Sequence, residues 1–484
     1  MILSQEGNYM KSFTLKTFCI SIIFTFTITS FASEITIPHI ENKQSITVVV
    51  EKGHWTKYLK EKLVPHFTKE TQVPVKIVEV SLSNMYQLQD KSLEKALGNF
   101  DVLSLEAGWA KEWAAKGYTV SLNELAKDYN RKKSNWNSYL QSFYPSLFEI
   151  LSYNKQLHSI PYNTYVMANH YRLDLFENKL EQSTFERKYG YKLSPPKTLA
   201  ELKDIAKFFT RKKGELLKGK KLSKDFYGVA LMSGNKPHIN DEWSSILWSL
   251  GGVWFQPNYK NNKLTNFFLP QNLSRIKQAA NYYLALMKYA FPTNKEFAFF
   301  ESAEALASGN VAMWPFAYNN LWAVSSQLKS GDKEQKFSIA ITPGGKPYHG
   351  AYAFSVAYDS NNPEAAFWFL RFMTSKKGQI EYAIGGGNPT RIDVNDYLTS
   401  KLNNSSPQFY SLKTTYEANT LWNNQIQYYG HYMSTAMGII YPLLTKYTYL
   451  ISNKDISIDK GIEQLLKEIR DAQNRYGEKA MFGQ

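Results

Sequence analysis

Strand-like and helix-like patterns alternate through the first part of this sequence, and this alternation restricts the possible folds more than any other feature. Three runs rich in β-branched and apolar residues, SITVVVE, VPVKIVEVS and FDVLSLEAG, begin at Ser45, Val73 and Phe100. Each run is followed by apolar residues at helical spacing, such as Trp55 and Leu59 after the first. A β-α-β-α-β-α order of this kind predicts a mostly parallel sheet covered by helices.

The rest of the chain has no low-complexity linker and no internal repeat. Its 484 residues exceed what one ordinary hydrophobic core organises, so two lobes are expected. The segment LHSIPYNTYVMANHYRLDLF predicts a strand, a turn at Pro161 and a second strand. Thr198 and Glu201 have the spacing of a capping box at a helix start, and Gly251 is expected to end a later helix. The tail from Tyr410 is predicted to be mainly helical.

The beginning of the chain has the three parts of a secretory signal. Lys11 and Lys16 precede the apolar run TFCISIIFTFTITSFA, which ends in small residues and is short for a membrane anchor. Residues 1–32 are therefore predicted to be a signal peptide that is cleaved after Ala32. The only cysteine, Cys19, lies within it, so the mature protein would have no disulfide, zinc–cysteine site or catalytic thiol. We expect an exported, soluble, periplasmic protein.

The charge balance is basic, with a formal net charge of +15. Such a balance can serve a nucleic acid, an anionic surface or an anionic ligand, but here the positive residues are scattered. The densest run, RKKGELLKGKKLSK, begins at Arg211 and is predicted to be a solvated loop. No nucleic-acid-binding motif accompanies it, so no nucleic-acid partner is predicted.

Sequence motifs for catalysis are missing. There is no G-x-S-x-G elbow and no H-E-x-x-H, and the eight histidines occur singly. A near match to a phosphate-binding loop has Lys221 where a hydroxyl should hold magnesium. We therefore predict no catalytic residue, no metal site and no cofactor. Paired catalytic carboxylates have no fixed spacing in sequence, so an exported glycan-cleaving enzyme is kept as an alternative.

Aromatic residues make up 15% of the chain, and they either fill cores or line sites that hold the flat faces of sugar rings. The segment EALASGNVAMWPFAYNN predicts a helix end, a short buried strand over residues 311–313 and then an aromatic loop. We expect this loop to form the wall of a cleft, with Trp314 and Tyr318 facing a ligand. Pro315 and Phe316 are expected to be structural.

Six stretches, taken in order, resemble one family. They are DVLSLEAGWAKEWAAKGYTVSLNEL, LHSIPYNTYVMANHYRLDLF, PKTLAELKDIAKFF, EALASGNVAMWPFAYNN, ITPGGKPYHGAYAFSVAYDSNNPEAAFWFLRFMTSKKGQ and GGGNPTRIDV. Together they resemble the extracytoplasmic solute-binding proteins of ABC importers, in the branch that includes the maltose-binding protein and many other sugar binders. The resemblance covers most of the chain from Ser45 to about Val394. His170, Tyr171 and Arg172 stand where the family usually has Tyr-Asn-Lys.

The resemblance implies an α/β fold with two lobes around a deep cleft, each lobe a mostly parallel sheet flanked by helices. The chain is expected to cross between the lobes three times, near residues 163–167, 350–355 and 415–428. The implied division gives residues 33–163 and 353–415 to lobe 1, and residues 164–352 and 416–484 to lobe 2.

Candidate binding residues follow from the rule that ligands of open α/β lobes lie beyond the carboxyl ends of the strands. The ends of the first and third strands, and of the strand at 311–313, would place aromatic and polar groups in one cleft. The crossings add further side chains, and Arg391 is suited to hold an acidic group. The predicted ligand-binding residues are Trp55, Glu106, Trp109, Tyr162, Asn163, Tyr165, Trp248, Trp314, Tyr318, Asn319, His349, Tyr352, Asn388 and Arg391.

The resemblance implies that the protein captures a carbohydrate or related small polar solute and delivers it, by cleft closure, to the permease subunits of an ABC importer. A monomer without catalytic activity is expected. The main alternative is an anionic solute such as glycerol phosphate in the same fold, which the basic balance makes worth testing. An iron chelate and a polyamine are also considered; a polyamine would need several cleft carboxylates, for which Glu106 and Glu51 are the candidates.

Overall fold

The computed structural model describes residues 35–129, 133–271, 273–319, 335–423 and 425–476. The predicted signal peptide and Asn320, in the predicted aromatic loop, lie outside these residues. Within the described ranges, no helix combines the length and apolar character needed to cross a membrane.

The first sheet has five strands. They are β1 (Ile46–Glu51), β2 (Val75–Val80), β3 (Val102–Glu106), β6 (Ile160–Thr164) and β15 (Ala351–Val356), in the spatial order β2-β1-β3-β15-β6. β1 pairs in parallel with β2 and β3, as the alternating pattern predicts. β15 runs antiparallel to both of its neighbours, β3 and β6, so four of the five described strands share one direction and the sheet is mostly parallel, as predicted.

The second sheet has four strands, β7 (Met167–Arg172), β10 (Tyr227–Val229), β13 (Val311–Tyr318) and β14 (Phe337–Ile341). Their order is β10-β13-β7-β14. β10 and β13 are parallel, whereas β7 is antiparallel to β13 and to β14. Three of the four described strands, β10, β13 and β14, therefore run in one direction and only β7 opposes them, in agreement with the predicted mostly parallel sheet.

Helices cover the sheets. The first lobe's early helices are α1 (His54–Tyr58), a π-helical turn (Leu59–Leu63), α2 (Val64–Thr71), α3 (Leu82–Glu94), a 3-10 turn (Ala107–Trp109), α4 (Ala110–Ala115), α5 (Leu122–Tyr129), α6 (Lys133–Leu140) and α7 (Pro145–Leu151). The middle helices are α8 (Leu173–Phe176), α9 (Lys179–Tyr189), α10 (Leu199–Phe209), α11 (His238–Ser249), α12 (Ser274–Met287) and α13 (Phe299–Ala307).

The last part is helical, as predicted. Its elements are α14 (Pro363–Met373), α15 (Lys376–Ile384), α16 (Ile392–Lys401), α17 (Pro407–Trp422), a 3-10 segment (Ile426–Met433), α18 (Met437–Ser452) and α19 (Ile458–Tyr476). Three small hairpins complete the fold: β4 (Ser152–Tyr153) with β5 (Gln156–Leu157), β8 (Leu216–Leu217) with β9 (Lys220–Lys221), and β11 (Gln256–Lys260) with β12 (Lys263–Phe268). The β8–β9 hairpin occupies the lysine-rich run that was predicted to be a loop.

Local helix signals in the sequence are confirmed. Thr198 accepts a hydrogen bond from the Glu201 backbone N–H at 3.1 Å, and the Glu201 carboxylate accepts one from the Thr198 N–H at 3.3 Å. These two bonds form the predicted capping box of α10. α11 ends before Gly251, whose φ of 77° lies in the left-handed region that glycine adopts without a steric penalty.

The chain passes from the first sheet to the second between β6 and β7, where only Tyr165 and Val166 separate the two strands. The turn predicted at Pro161 is wrong, because Pro161 lies inside β6. This strand is at the edge of its sheet, where the missing N–H of a proline is tolerated. The chain returns to the first sheet between β14 and β15, over residues 342–350.

The aromatic loop predicted after Met313 is also wrong, because β13 continues through Tyr318 and all eight of its residues are buried. The pairing of β13 with β7 shifts register between Trp314 and Ala317. Such an irregularity accommodates Pro315, which has no N–H to donate to a neighbouring strand. Trp314 therefore lies in the core, and only the last residue of the strand, Tyr318, reaches a cavity at the edge of the sheet.

Candidate functional site

A cavity of about 300 Å³ lies between the carboxyl-end edges of the two sheets. It collects side chains from strand ends in both sheets, from the first crossing, from the start of α11 and from α18. The lining residues are Glu51, Trp55, Leu82, Tyr86, Gln87, Glu106, Trp109, Tyr165, Pro237, His238, Asp241, Phe299, Tyr318, Tyr352, Met437, Gly438, Tyr441 and Pro442.

The first sheet supplies two carboxyl groups to this cavity. Glu51 is the last residue of β1, and Glu106 is the last residue of β3. β15 runs in the opposite direction, so its early residue Tyr352 stands beside Glu106 in the register. The hydroxyl of Tyr352 hydrogen-bonds Glu51, and the Gly108 N–H donates to the Glu106 carboxylate at 2.8 Å. Topology therefore places both acids at one edge.

The second sheet and its helices supply the third carboxyl group. Asp241 lies in the first turn of α11, and Tyr318 is the last residue of β13. The Tyr318 hydroxyl donates to the Asp241 carboxylate, and the Tyr441 hydroxyl donates to it at 2.5 Å. His238 Nδ1 is 3.1 Å from the Tyr318 hydroxyl. On this side of the cavity, tyrosine hydroxyls therefore orient the carboxylate of Asp241.

Aromatic rings form walls on both sides. On the first-sheet side, the Tyr86 and Trp109 ring centres are 5.2 Å apart in an edge-to-face arrangement. Tyr165 lies at the first crossing, and the centre of its ring is 5.4 Å from that of Tyr352 and 5.9 Å from that of Tyr318. Its ring therefore joins the two walls, and its hydroxyl donates to Glu106. Flat apolar surfaces around a few polar groups are the usual lining of a small-molecule site.

The three carboxyl groups have unusual acidities. Burial raises the pKa of Glu51 and of Glu106 from the usual 4.5 to about 7, and the pKa of Asp241 from 3.8 to about 7. Hydrogen bonds from tyrosines oppose this rise but do not cancel it. Asp241 also raises the pKa of Glu106, because their like charges repel across the cavity. Burial lowers the pKa of His238 to about 3, so this histidine is neutral near pH 7.

The described lining residues supply no positive charge to compensate these acids. Among the lining residues that the structure describes, there is no lysine and no arginine. Lys116 lies 5.6 Å from the centre of the Tyr86 ring, but it is paired with Asp90 at 2.9 Å and Glu112 at 3.0 Å. In the described parts of the chain, no three His, Cys, Asp or Glu side chains are grouped closely enough to hold a metal ion.

Six of the fourteen residues predicted for the site line this cavity. They are Trp55, Glu106, Trp109, Tyr165, Tyr318 and Tyr352. Their contact with a ligand stays a prediction. Each follows a strand end or lies at a crossing, and the structure brings all six to the same cavity.

Four others support the hinge outside the cavity. Tyr162 stacks on Phe354 with ring centres 3.9 Å apart. Asn163 Oδ1 accepts a hydrogen bond from the Asn388 N–H at 2.9 Å, which ties β6 to the turn after α15. Arg391 forms a bidentate pair with its own neighbour Asp393, at 2.9 and 3.0 Å. Its guanidinium is therefore engaged within the protein and does not line the cavity.

The remaining four are packed elsewhere in the interior. Trp248 stacks on Tyr348 at 5.6 Å, and His349 Nε2 is 2.7 Å from Asn419 Oδ1. Trp314 is fully buried in β13, with His170 5.9 Å from its ring. The Asn319 amide donates to residues of α17, including the Ser411 carbonyl at 2.5 Å. The cleft position expected for Trp314 is thus wrong, because the strand does not end where the sequence pattern suggested.

Several lining residues were missed by the sequence reasoning. Asp241 lies in the first turn of α11, well after the end of β10 at Val229, so the strand-end rule did not select it. Glu51 ends β1 and was considered only for a polyamine site. Tyr86 and Tyr441 come from the outer parts of α3 and α18, and only tertiary packing brings them to the cavity.

Comparisons with known proteins identify the family. The family model of bacterial extracellular solute-binding proteins matches residues 52–380, more than half of the chain. No curated protein matches the sequence significantly.

Solved structures are similar over most of the chain. A solute-binding protein of an ABC transporter from Agrobacterium radiobacter K84, in complex with ribitol, has a TM-score of 0.70 at 18% identity and covers 90% of this chain and 100% of its own. A maltose-bound T. maritima protein has a TM-score of 0.62 at 18% identity, covering 89% and 100%.

A solute-binding protein from Agrobacterium vitis S4 with bound D-mannitol has a TM-score of 0.61 at 17% identity, covering 90% and 99%. At these identities the likeness concerns the fold, and it confirms the predicted two-lobed α/β architecture. Together with the family match, it shows that this chain belongs to the bacterial extracellular solute-binding proteins.

Proposed function

We propose that this protein captures a carbohydrate or a related polyhydroxyl solute outside the cytoplasm and delivers it to an ABC importer by closing its two lobes. The observation that carries the proposal is the cavity of about 300 Å³ between the two sheets, with aromatic walls and three carboxyl groups. Proteins of the same fold are bound to ribitol, maltose and D-mannitol, which are all polyhydroxyl compounds.

The lining suits such a ligand chemically. The C–H faces of a sugar ring or polyol pack on aromatic planes such as those of Trp55 and Trp109. Hydroxyl groups of the solute can donate hydrogen bonds to carboxylate oxygens. Glu106 and Asp241 provide such oxygens on opposite sides of the cavity. Tyr165 lies between the two sides and would contact the solute from the hinge.

Delivery depends on lobe closure. A solute that touches both walls stabilises the closed form over the open one, and the closed form docks on the permease. We assign residues 33–163 and 353–415 to lobe 1 and residues 164–352 and 416–484 to lobe 2. The change of sheet between β6 and β7 and between β14 and β15 supports the first two crossings. The packing of α14 on β15 and of α18 on α11 supports a third crossing between these two helices, which we assign to residues 415–428.

Export, a monomeric state and the absence of catalysis complete the proposal. Residues 1–32 act as the signal peptide, and the mature protein starts at Ser33 in the periplasm. The family is one of binding proteins, which supports capture without hydrolysis and without nucleic-acid binding. N-terminal sequencing of periplasmic material tests the first point, and recovery of a chain that still begins at Met1 or Met10 would contradict it.

A ligand screen tests the function itself. The mature protein is heated with a panel of sugars, polyols, sugar phosphates and glycerol phosphate, and a specific ligand raises the melting temperature by mass action. We expect a response to polyhydroxyl compounds and no release of reducing sugar from mixed glycans. Hydrolysis of a glycan would favour the enzymatic alternative, for which carboxyl groups in a cleft are also suited.

An anionic solute is disfavoured by the cavity. Glycerol phosphate would face three carboxyl groups without a lysine or arginine among the described lining residues. Arg391, which was expected to hold an acidic group, is paired with Asp393 outside the cavity. The positive charges behind the net charge of +15 therefore lie outside the described lining of the cavity.

A further inference from the structure

We propose that the solute carries an ammonium group, so that the site takes an organic cation in preference to a neutral sugar. This inference rests on the proposed function, because it assumes that the solute occupies the cavity between the lobes. It goes further by naming the chemical class that the lining selects. The shared chemistry is the protonated amine, carried either by an amino sugar or by a polyamine.

Three acids from three separate elements converge on one small cavity. Glu51 ends β1, Glu106 ends β3 and Asp241 lies in α11, and each is at least nine-tenths buried. Glu106 and Asp241 come from opposite sheets and interact electrostatically. A partly open cavity with several acids at different points of its wall is suited to a ligand with a positive charge.

The protein's own donors do not compensate these charges. The groups that hydrogen-bond the three acids are tyrosine hydroxyls and a backbone N–H, which orient the oxygens but carry no charge. A buried carboxylate without a counter-charge is unfavourable, and a protonated amine would supply both the charge and further N–H donors. A neutral sugar would supply only the donors.

The walls also suit a cation. The faces of tryptophan and tyrosine rings attract ammonium groups, and this attraction is larger where water is excluded. Trp55, Trp109 and Tyr86 line the cavity beside the acids, and Phe299 lines it near Asp241. The carboxyl groups do not form a metal cluster in the described residues, so an extended organic cation fits better than a metal ion.

Matched ligand pairs test the charge directly. Calorimetric titrations at pH 7, where the amine of D-glucosamine is mostly protonated, compare D-glucosamine with D-glucose and with N-acetylglucosamine, whose amide nitrogen carries no charge. A second pair compares putrescine with the diol of the same length. We expect at least one amine to bind more tightly than its neutral partner by about tenfold or more. The two pairs separate an amino sugar from a polyamine.

Charge-removing variants locate the effect. In Glu106→Gln and Asp241→Asn the shape of the cavity is kept while one negative charge is lost, and the preference for the amine should fall by about tenfold in each. Glu463→Gln, at an exposed position of α19, is the matched control and should leave the preference unchanged. If a variant does not fold, the ligand pairs measured on the wild-type protein still decide the question.

The outcomes separate the two proposals. Neutral sugars that bind as tightly as their amines would overturn the cation inference and leave carbohydrate capture intact. Binding of putrescine alone would support the cation inference and contradict a carbohydrate ligand. An unchanged amine preference in both folded cavity variants would also overturn the inference, because the charge would then be recognised elsewhere. Binding of no probe in either pair would count against both.

Discussion

Single buried acids give the ligand-free protein an unusual dependence of stability on pH. The pKa values of Glu51, Glu106 and Asp241 are raised to about 7 and that of Glu242 to about 8, all by burial. The folded state therefore binds more protons than the unfolded state between the ordinary and the raised pKa. The stabilising contribution of these groups is complete at low pH and is lost as pH rises through 7 to 8.

Buried histidines act in the opposite direction. Burial lowers the pKa from the usual 6.5 to about 3 in three of them and to about 4 in the fourth: His170, His238, His431 and His349. The unfolded state binds more protons than the folded state below pH 6.5, so their contribution to stability grows as pH rises and is complete above 6.5. Between pH 4.5 and 6.5 the two sets oppose each other.

We therefore predict that the ligand-free protein loses stability between pH 6.5 and 8, where the four acids titrate. Burial lowers the pKa of Lys111 to about 8, so this lysine opposes the fall only near the upper end of the range. Each acid contributes a slope of up to about 1.4 kcal/mol per pH unit. Urea unfolding at several pH values measures this fall. Glu106→Gln should make it less steep, whereas the exposed control Glu463→Gln should not. A stability that rises steadily from pH 6.5 to 8 would contradict the raised pKa values.

Two tryptophans should separate binding from folding. Trp109 lines the cavity, and Trp314 is fully buried in β13. We predict that Trp109→Ala weakens ligand binding by roughly 1–3 kcal/mol, through loss of an aromatic anchor. Trp314→Ala should cost roughly 3–5 kcal/mol of stability through the cavity it leaves. Calorimetry and urea titration on both variants measure the two effects. If folded Trp314→Ala loses more affinity than Trp109→Ala, Trp314 contacts the ligand and the assignment to the core is contradicted.

Elements were predicted from the sequence better than the positions where they end. The parallel strands β1, β2 and β3 have clear β-branched runs, and their carboxyl ends placed Glu106 correctly. The sequence predicts that β13 ends at Met313, because proline normally ends a strand. In the structure a register shift accommodates Pro315, and the strand continues to Tyr318. Local patterns do not contain that information, since it depends on the partner strand.

The tail illustrates the same limit for the site. Its helices were predicted, but Tyr441 could not be assigned to the cavity from sequence. The position of α18 is set by packing against α11, which is distant in the chain. Asp241 has the same limit, because it lies in the first turn of α11 and not at the end of a strand. The acids at strand ends, Glu51 and Glu106, can thus be located from the sequence, whereas the tyrosine hydroxyls that bind the acids are located only by tertiary packing.

A contact between α4 and α18, which we assign to different lobes, bears on closure. The Gly438 N–H, at the start of α18, donates to the Glu112 carboxylate of α4 at 2.7 Å. A Cβ atom at position 438 would lie 2.6 Å from the Tyr86 hydroxyl, which itself donates to Glu112. A side chain at position 438 would therefore push the Tyr86 hydroxyl away from Glu112.

We predict that Gly438→Ala favours the open form and weakens ligand binding by roughly fivefold or more, the scale of a conformational coupling. Titration calorimetry measures the affinity. The control is Gly461→Ala in α19, where a Cβ atom would lie 2.5 Å from Ile451, away from the cavity. This control should lower stability without a comparable loss of affinity. Equal affinity in wild type and Gly438→Ala would show that the α4–α18 contact does not control closure.

At the scale of the whole molecule, two crossings of the chain lie side by side at the hinge. The Tyr165 N–H donates to the Gly350 carbonyl at 3.2 Å, and the Met167 N–H donates to the Tyr348 carbonyl at 2.9 Å. Short, mutually bonded connections of this kind allow two rigid lobes to rotate about a common axis while each sheet keeps its structure. The cavity lies directly beside this axis, since Tyr165 lines it.

This arrangement predicts that a cognate ligand reduces the radius of gyration in solution. A solute that contacts Glu106 on one lobe and Asp241 on the other has more contacts in the closed form, so it shifts the population toward that form. Small-angle scattering with and without saturating ligand measures the change. A sugar that gives no thermal shift is the control and should leave the curve unaltered. If a ligand of confirmed tight binding also leaves the scattering curve unaltered, closure around the solute is not how this protein works.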